Sequence, residues 1–261
     1  MKLKLIHFIV YPAAIILAIF TGTYIIPRIY RNNKPIIVEK QDQIRNFTNT
    51  VVPQPTAPPP QLGTPTPLPN YHLITTTFVP QAPEKNWDQP WQDACEEAAL
   101  LTAHYYYSNK NPSTLTIKQD ILKMIEYEDS QNYLLDINLI QMSEISTNYF
   151  DYQPEIISNP SVEDLKRQIS LNRPVIVPAN GKTLYRENKY FKNGGPYFHN
   201  VVILGYDDSK QKFTVHDVGT QFGAYFNYSY DLLIESIHDF PASGKKEDVD
   251  TGEKRVLILL K

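Results

Sequence analysis

A proline-rich segment divides the chain and limits what its first quarter can fold into. Between Pro53 and Pro69, the sequence PQPTAPPPQLGTPTPLP holds 8 prolines in 17 residues. Proline lacks a backbone N–H and fixes φ, so this run can neither continue a helix nor pack a core, and it favours extended polyproline II. We expect residues 28–69 to form a stiff linker. Residues 70–261 are then expected to be the folded domain.

An uncharged segment before the linker predicts a membrane anchor. Leu5 to Pro27 has no Asp, Glu, Lys or Arg over 23 residues, which is long enough to cross a hydrocarbon core of about 30 Å. Phe20 to Tyr24, near the end of this segment, fit a signal-peptidase cleavage site poorly, so residues 1–27 are predicted to be an uncleaved signal anchor. Basic residues flank both ends and leave the orientation open. The stalk-like linker favours an extracytoplasmic domain; a cytoplasmic tether is the alternative.

Composition excludes several classes of function. Lys and Arg number 25 against 28 Asp and Glu, a net charge of −3, and no basic run is present, which disfavours a nucleic-acid partner. The single cysteine, Cys95, excludes an intramolecular disulfide and a cysteine-based zinc site. The histidines show no paired metal-ligand spacing. We expect a monomer that uses no metal and no cofactor.

Hydrophobic patterning predicts an α+β domain. Four helices are expected, at residues 95–108, 117–127, 137–148 and 162–171. Ser161 caps the last of them, with Asp164 at the capping-box spacing. After Pro174 the pattern changes to short β-type runs, at residues 174–179, 200–206, 212–218 and 255–260. Helices followed by antiparallel strands predict an α+β fold.

Cys95 stands at the predicted start of the first helix. Unpaired N–H groups and the positive end of the helix dipole lower the pKa of a thiol there and favour a nucleophilic thiolate. Glu96 and Glu97 oppose a neighbouring thiolate, so a cationic partner is needed. The alternative is that Cys95 is a small apolar core residue.

His199 and Asp217 can complete a nucleophilic site. Strand alternation places His199 on one face of its strand, and it places Asp217 on the matching face of the next strand, with His216 turned away. If the two strands form a hairpin, the imidazole and the carboxylate lie at the same end, as in a Cys-His-Asp arrangement. For the oxyanion, Gln89 lies six residues before Cys95 and Gln92 three before it, and Gln89 is the preferred donor.

These motifs resemble papain-like cysteine peptidases. The segments CEEAALL, FHNVVILGYDD and FTVHDVGTQFG are similar to those of the bacterial bacteriocin-processing peptidases that remove double-glycine leaders, and especially to their stand-alone relatives, over residues 75–239. The resemblance implies a papain-like fold with a central Cys-bearing helix packed on an antiparallel sheet. By position it implies that Cys95 is the nucleophile, His199 the general base, Asp217 its orienting residue and Gln89 the oxyanion donor. The double-glycine substrate is not carried over.

The sequence therefore predicts a membrane-anchored, extracytoplasmic cysteine peptidase that acts on a peptide or protein substrate. Two alternatives stay open: a non-catalytic peptide- or cell-wall-binding module of the same fold, and an acyl transferase that uses the same Cys-His chemistry. The aromatic and basic loop at residues 185–198 is expected either to form one wall of the substrate cleft or to be an ordinary surface loop.

Overall fold

The computed structural model describes residues 67–261. The predicted anchor at residues 1–27 and most of the linker lie outside the described residues. Within residues 67–261, no helix has the length and apolar character needed to cross a membrane. The elements in chain order are β1 (Tyr71–Leu73), α1 (Cys95–Ser108), α2 (Thr114–Ser130), α3 (Leu139–Asn148), β2 (Gln153–Ser158), α4 (Val162–Ser170), β3 (Val175–Asn180), α5 (Gly181–Leu184), β4 (Phe198–Asp207), β5 (Lys212–Asp217), β6 (Phe226–Ser229), α6 (Tyr230–Ser236) and β7 (Arg255–Leu260).

The helix boundaries follow from local capping chemistry. α1 coincides with the predicted helix and ends on Asn109, whose left-handed φ of 51° suits an asparagine. α2 is longer than predicted at both ends, because the Ser113 side chain accepts a hydrogen bond from the Thr116 N–H and caps it earlier. α4 has the predicted capping box between Ser161 and Asp164. The predicted helices are therefore confirmed, with shifts at their ends.

Within residues 67–261, the seven strands form one antiparallel sheet in the order β2-β7-β3-β4-β5-β6, with β1 paired to the far end of β4. The central strands β3 and β4 are rich in Val and Ile and are buried along almost their whole length. Patterning missed the short strand β1 and the two edge strands β2 and β6. Most residues of β2 and β6 are partly buried or exposed, so neither strand carries a continuous apolar run. Helices combined with an antiparallel sheet confirm the predicted α+β class.

The topology brings the start of α1, the start of β4 and the end of β5 together at one end of the domain. α1 packs against β3 and β4, so its N-terminus and the start of β4 lie together. β4 and β5 form the predicted hairpin, in which Val201 faces Asp217 and Asp207 faces Lys212. The end of β5 therefore returns beside the start of β4. This is the end of the sheet to which sequence analysis assigned the chemistry.

Candidate active site

A cleft of about 670 Å³ lies beside the start of α1 and the start of β4. Cys95 and His199 both line it. The loop that precedes β4 contributes the largest group of lining residues, namely Tyr190, Phe191, Lys192, Asn193, Gly195, Pro196 and Tyr197. The structure therefore supports the interpretation of residues 185–198 as one wall of the cleft over that of an ordinary surface loop.

His199 is held by Asp217 at the inner side of the cleft. Its Nε2 lies 2.8 Å from Asp217 Oδ1, and both side chains are buried. Because a carboxylate can only accept, Nε2 carries the hydrogen and Nδ1 is the ring nitrogen left free to accept a proton. The two side chains that strand alternation placed on one face are therefore in direct contact.

Asp217 is surrounded by donors. Its Oδ2 accepts from Asn188 Nδ2 at 2.8 Å and from the Tyr228 hydroxyl at 2.5 Å, and its Oδ1 also accepts from the Gly219 N–H at 3.1 Å. Burial by itself would raise the pKa of this carboxyl, but the His199 ring and the side-chain donors outweigh burial and lower the pKa below its ordinary 3.8. Asp217 is therefore an ionised, fully hydrogen-bonded partner for the imidazole. Neither Asn188 nor Tyr228 was predicted, because both come from segments outside the recognised motifs.

The His199 ring is also fixed by packing. Phe191 contacts it edge-on, with ring centroids 5.3 Å apart. A Cβ at Gly219 would lie 2.5 Å from His199 Cε1 and 2.9 Å from Phe191 Cε1. Only glycine leaves room for the imidazole at this position, so the loop after β5 sets the ring plane together with Asp217.

Cys95 is buried at the start of α1 and makes two hydrogen bonds of opposite sense. Its thiol donates to Glu96 Oε2 at 3.0 Å, and its sulfur accepts from Asn200 Nδ2 at 3.6 Å. Within residues 67–261, no hydrogen bond joins the sulfur to the His199 ring. Burial, followed by the Glu96 charge, raises the pKa of the thiol well above its ordinary 9.0. The helix start was expected to lower this pKa, but desolvation and the adjacent carboxylate outweigh the dipole.

The chain matches a known protein family. Residues 73–245 match the model of the Peptidase_C39-like family. The chain belongs to this family. The match confirms the predicted relationship to papain-like cysteine peptidases and, together with the helices and antiparallel sheet, the papain-like α+β fold.

Two solved structures are similar to this C39-like protein. One is a Bacillus anthracis protein described as a C39-like peptidase, with 13% identity, a TM-score of 0.44 and coverage of 73% of this chain and 98% of that one. The other is Xylellain, a cysteine protease from Xylella fastidiosa, with 13% identity, a TM-score of 0.40 and coverage of 75% and 87%. No curated protein matches the chain significantly.

Gln89 does not line the cleft of the C39-like protein. It is exposed, and its Nε2 donates to Asp93 Oδ2 at 2.6 Å. Gln81 and Gln92 line the cleft instead. Gln81 is buried, and its Nε2 donates to the Trp91 and Gln92 carbonyls at 3.0 Å each, while its Oε1 has no donor. A sequence signal existed, because Gln81 is a polar residue in the otherwise apolar segment from Phe78 to Ala82.

Four carboxyl groups lie behind Cys95. Glu96 and Glu97 come from α1, Glu128 from α2, and Asp136 from the segment before α3. Burial is the main cause that raises the pKa of each, to about 8 for Glu128 and about 6 for Asp136. The Glu97 Oε2 and Glu128 Oε1 atoms are buried without a donor, and a proton shared between the two carboxyls accounts for both. Within residues 67–261, no group of three or more His, Cys, Asp or Glu side chains is placed to hold a metal ion.

His216 points away from the site, as alternation predicted. It packs edge-on against Phe78 and Tyr225, and neither ring nitrogen has a hydrogen-bond partner. Burial lowers the pKa of this imidazole to about 3. His216 is therefore a neutral core residue, and its contribution is to packing.

Proposed function

We propose that this C39-like protein is a membrane-anchored, extracytoplasmic cysteine peptidase that hydrolyses peptide bonds through Cys95, His199 and Asp217. The observation that supports it best is the fixed His199 imidazole. Asp217 occupies Nε2, Gly219 and Phe191 fix the ring, and Nδ1 stays available in the cleft that Cys95 also lines. An imidazole oriented by a buried carboxylate, in the same cleft as a cysteine at a helix start, is the arrangement that nucleophilic acyl transfer needs.

In the proposed mechanism, the Cys95 thiol gives its proton to His199 Nδ1, and the thiolate attacks the substrate carbonyl. The imidazolium then protonates the leaving amine, which leaves an acyl-enzyme on Cys95. Water, deprotonated by His199, releases the acid and restores the thiol. Asp217 stays ionised throughout and stabilises the charged form of the ring. Free-enzyme hydrogen bonds of this kind are often absent until substrate binds, so the resting Cys95–Glu96 contact is compatible with this cycle.

We assign the side-chain donor of the oxyanion hole to Gln81, with the Cys95 backbone N–H as its partner. Gln81 lines the cleft and is anchored beside the 3₁₀ turn that precedes α1, whereas Gln89 faces solvent. Both Nε2 hydrogens of Gln81 are donated to the Trp91 and Gln92 carbonyls, so one of these two hydrogen bonds must break before Gln81 can donate to the oxyanion. Removing one such donor typically costs about 10²- to 10³-fold in turnover.

The test is incubation of the full chain, in detergent, with a diverse peptide pool, followed by mass spectrometry of the products. We expect cleavage by the wild type and none by Cys95→Ala. Gln81→Ala should lose about 10²-fold in turnover, and the matched variant Gln89→Ala should lose less than threefold. Labelling of Cys95 by an electrophile without cleavage of any peptide would instead support a binding module, and products joined to an added amine would support an acyl transferase.

The membrane placement is a separate part of the proposal. It is supported by the uncharged segment at residues 5–27 and by the proline-rich linker. Protease added to intact cells should cut the linker and release the domain. Cleavage only after lysis would place the domain in the cytoplasm.

A further inference from the structure

The two hydrogen bonds on the Cys95 sulfur carry opposite consequences for its proton. Glu96 Oε2 accepts the thiol hydrogen at 3.0 Å and therefore stabilises the neutral thiol. Asn200 Nδ2 donates to the same sulfur at 3.6 Å, and a donor stabilises the thiolate. The protonation of Cys95 thus depends on which of these two contacts is stronger.

Glu96 is held rigidly in this position. It is completely buried, and its second oxygen, Oε1, accepts the Ile137 N–H at 3.1 Å. The carboxyl therefore bridges the backbone before α3 and the sulfur, and the Cys95 contact is built into the fold. Asn200 is equally buried, next to His199 on β4, and its Oδ1 has no donor. Nothing in its surroundings other than the sulfur accepts its amide hydrogens among the described residues.

We propose that Glu96 is a positioning residue that keeps Cys95 a neutral thiol while Glu96 is ionised, and that protonation of Glu96 activates the cysteine. The proposal rests on the proposed peptidase function and adds the regulation of its nucleophile. A proton taken from solvent by Glu96 turns its carboxyl oxygen into a donor, which reverses the hydrogen bond. The thiol proton then passes to His199 Nδ1, and the thiolate accepts from both Glu96 and Asn200.

The charges around Glu96 favour such protonation. On α1 it is next to Cys95 and Glu97, and Glu128 of α2 and Asp136 face the same group. The Lys246 Nζ lies 3.2 Å from Asp93 Oδ1 and 3.9 Å from Asp136 Oδ2, so this ammonium forms ion pairs with those two carboxylates and not with Glu96. Burial first, and then the charges of Asp136 and Glu97, raise the pKa of Glu96 well above its ordinary 4.5.

The test measures alkylation of Cys95 by iodoacetamide in the full chain, in detergent, between pH 5 and pH 8. Cys95 is the only cysteine, so the modification reports on this site alone. Glu96→Gln keeps the acceptor for the Ile137 N–H and presents an amide N–H to the sulfur, as protonated Glu96 would. We expect its alkylation rate at pH 7 to rise about tenfold, and that of Asn200→Ala to fall several-fold. The control Glu126→Gln, at an exposed side chain of α2, should stay within threefold of the wild type.

The wild-type profile gives a test that needs no variant. An isolated thiol loses about tenfold in alkylation rate for each pH unit below its pKa. We expect the wild-type rate to fall less than tenfold between pH 8 and pH 6. An ordinary tenfold fall per unit, or a Glu96→Gln rate equal to or below that of the wild type, would overturn the proposal. Thermal unfolding of each variant shows whether it is folded. If Glu96→Gln does not fold, the pH profiles of the wild type and of Asn200→Ala decide the proposal.

Alkylation requires no peptide, so this result is independent of the proposed function. A faster Glu96→Gln reaction without cleavage of any peptide would support the role of Glu96 and reject the peptidase. If the wild type cleaves peptides and Glu96→Gln is alkylated at the wild-type rate, the peptidase function is supported and the proposed role of Glu96 is rejected.

Discussion

The sheet side of the site, around Asp217, and the helix side, behind Cys95, hold their buried carboxyl groups in opposite ways. On the sheet side, Asp217 receives hydrogen bonds from His199, Asn188, Tyr228 and the Gly219 backbone, and its pKa is lowered although burial opposes this. On the helix side, the carboxyls of Glu96, Glu97 and Glu128 face one another, and burial raises their pKa values. Burial alone therefore does not set the charge of a carboxyl; the number of donors that reach it decides.

This difference predicts opposite pH dependences of stability. A carboxyl with a lowered folded-state pKa, such as Asp217, stabilises the fold above its unfolded pKa of about 4 and loses that contribution as the pH falls. A carboxyl with a raised folded-state pKa, such as Glu128, binds a proton that the unfolded chain releases. The free energy of unfolding then decreases as the pH rises from 4.5 towards 8. The sheet side is thus sensitive to acid and the helix side to alkali.

The largest effect is expected when the sheet side loses its charge. Asp217→Asn keeps the shape, and its Oδ1 can still accept from His199 Nε2 and the Gly219 N–H, but it removes the negative charge that stabilises the imidazolium and places an NH2 group opposite the Asn188 and Tyr228 donors. Turnover of a cleaved peptide, measured as kcat, should fall about 10²- to 10⁴-fold. Asp207→Asn, in the turn at the other end of the hairpin, is the control. Equal losses in both variants would contradict the assignment of Asp217.

The next largest effect is steric. Gly219→Ala places a Cβ 2.5 Å from His199 Cε1, so the ring must shift, and a displacement of about 1 Å can cost about 10²-fold in turnover. Gly244→Ala is the matched control, since nothing lies within 4 Å of its Cβ and its φ of +70° affects only local stability. The interpretation fails if peptide cleavage by Gly219→Ala proceeds at the wild-type rate.

A smaller effect is expected from removing one donor. Tyr228→Phe deletes the hydroxyl that donates to Asp217 Oδ2, which should lower the free energy of unfolding by about 1.5–3 kcal/mol and turnover several-fold. Tyr230→Phe removes a comparable bond to Asp208, away from the site. Denaturant unfolding and peptide assays of both should show a loss of stability in each and a loss of turnover in Tyr228→Phe alone.

The smallest effect concerns the helix side. Glu128→Gln removes the charge that the Glu97–Glu128 pair cannot accommodate and can still donate to Glu97. It should raise the free energy of unfolding by about 1–2 kcal/mol at pH 8 and change little at pH 5, where the wild type is protonated. Glu126→Gln, exposed on the same helix, should show no such pH dependence. A stabilisation that is equal at both pH values would argue against a shared proton.

Much of the fold could be predicted from local patterns. The helix at Cys95–Ser108, the capping box of α4 and the β4–β5 hairpin all depend on residues close together in sequence. The contact between His199 and Asp217 belongs to the same class, because alternation along two strands joined by a short turn fixes which side chains meet. These features need only the periodicity of the backbone and the chemistry of turns and caps.

Tertiary structure decided the environment of the cysteine and the identity of the cleft amide. The sequence places Cys95 at a helix start, where the dipole lowers a thiol pKa, but only packing of α1 against α2 and the sheet buries it beside Glu96 and brings Asp136 and Asn200 to it. Likewise, spacing favoured Gln89, whereas the fold turns Gln89 to solvent and Gln81 into the cleft. Burial and contacts between distant segments depend on the whole chain, so the protonation of Cys95 follows from the packed domain and cannot be derived from its neighbours in sequence.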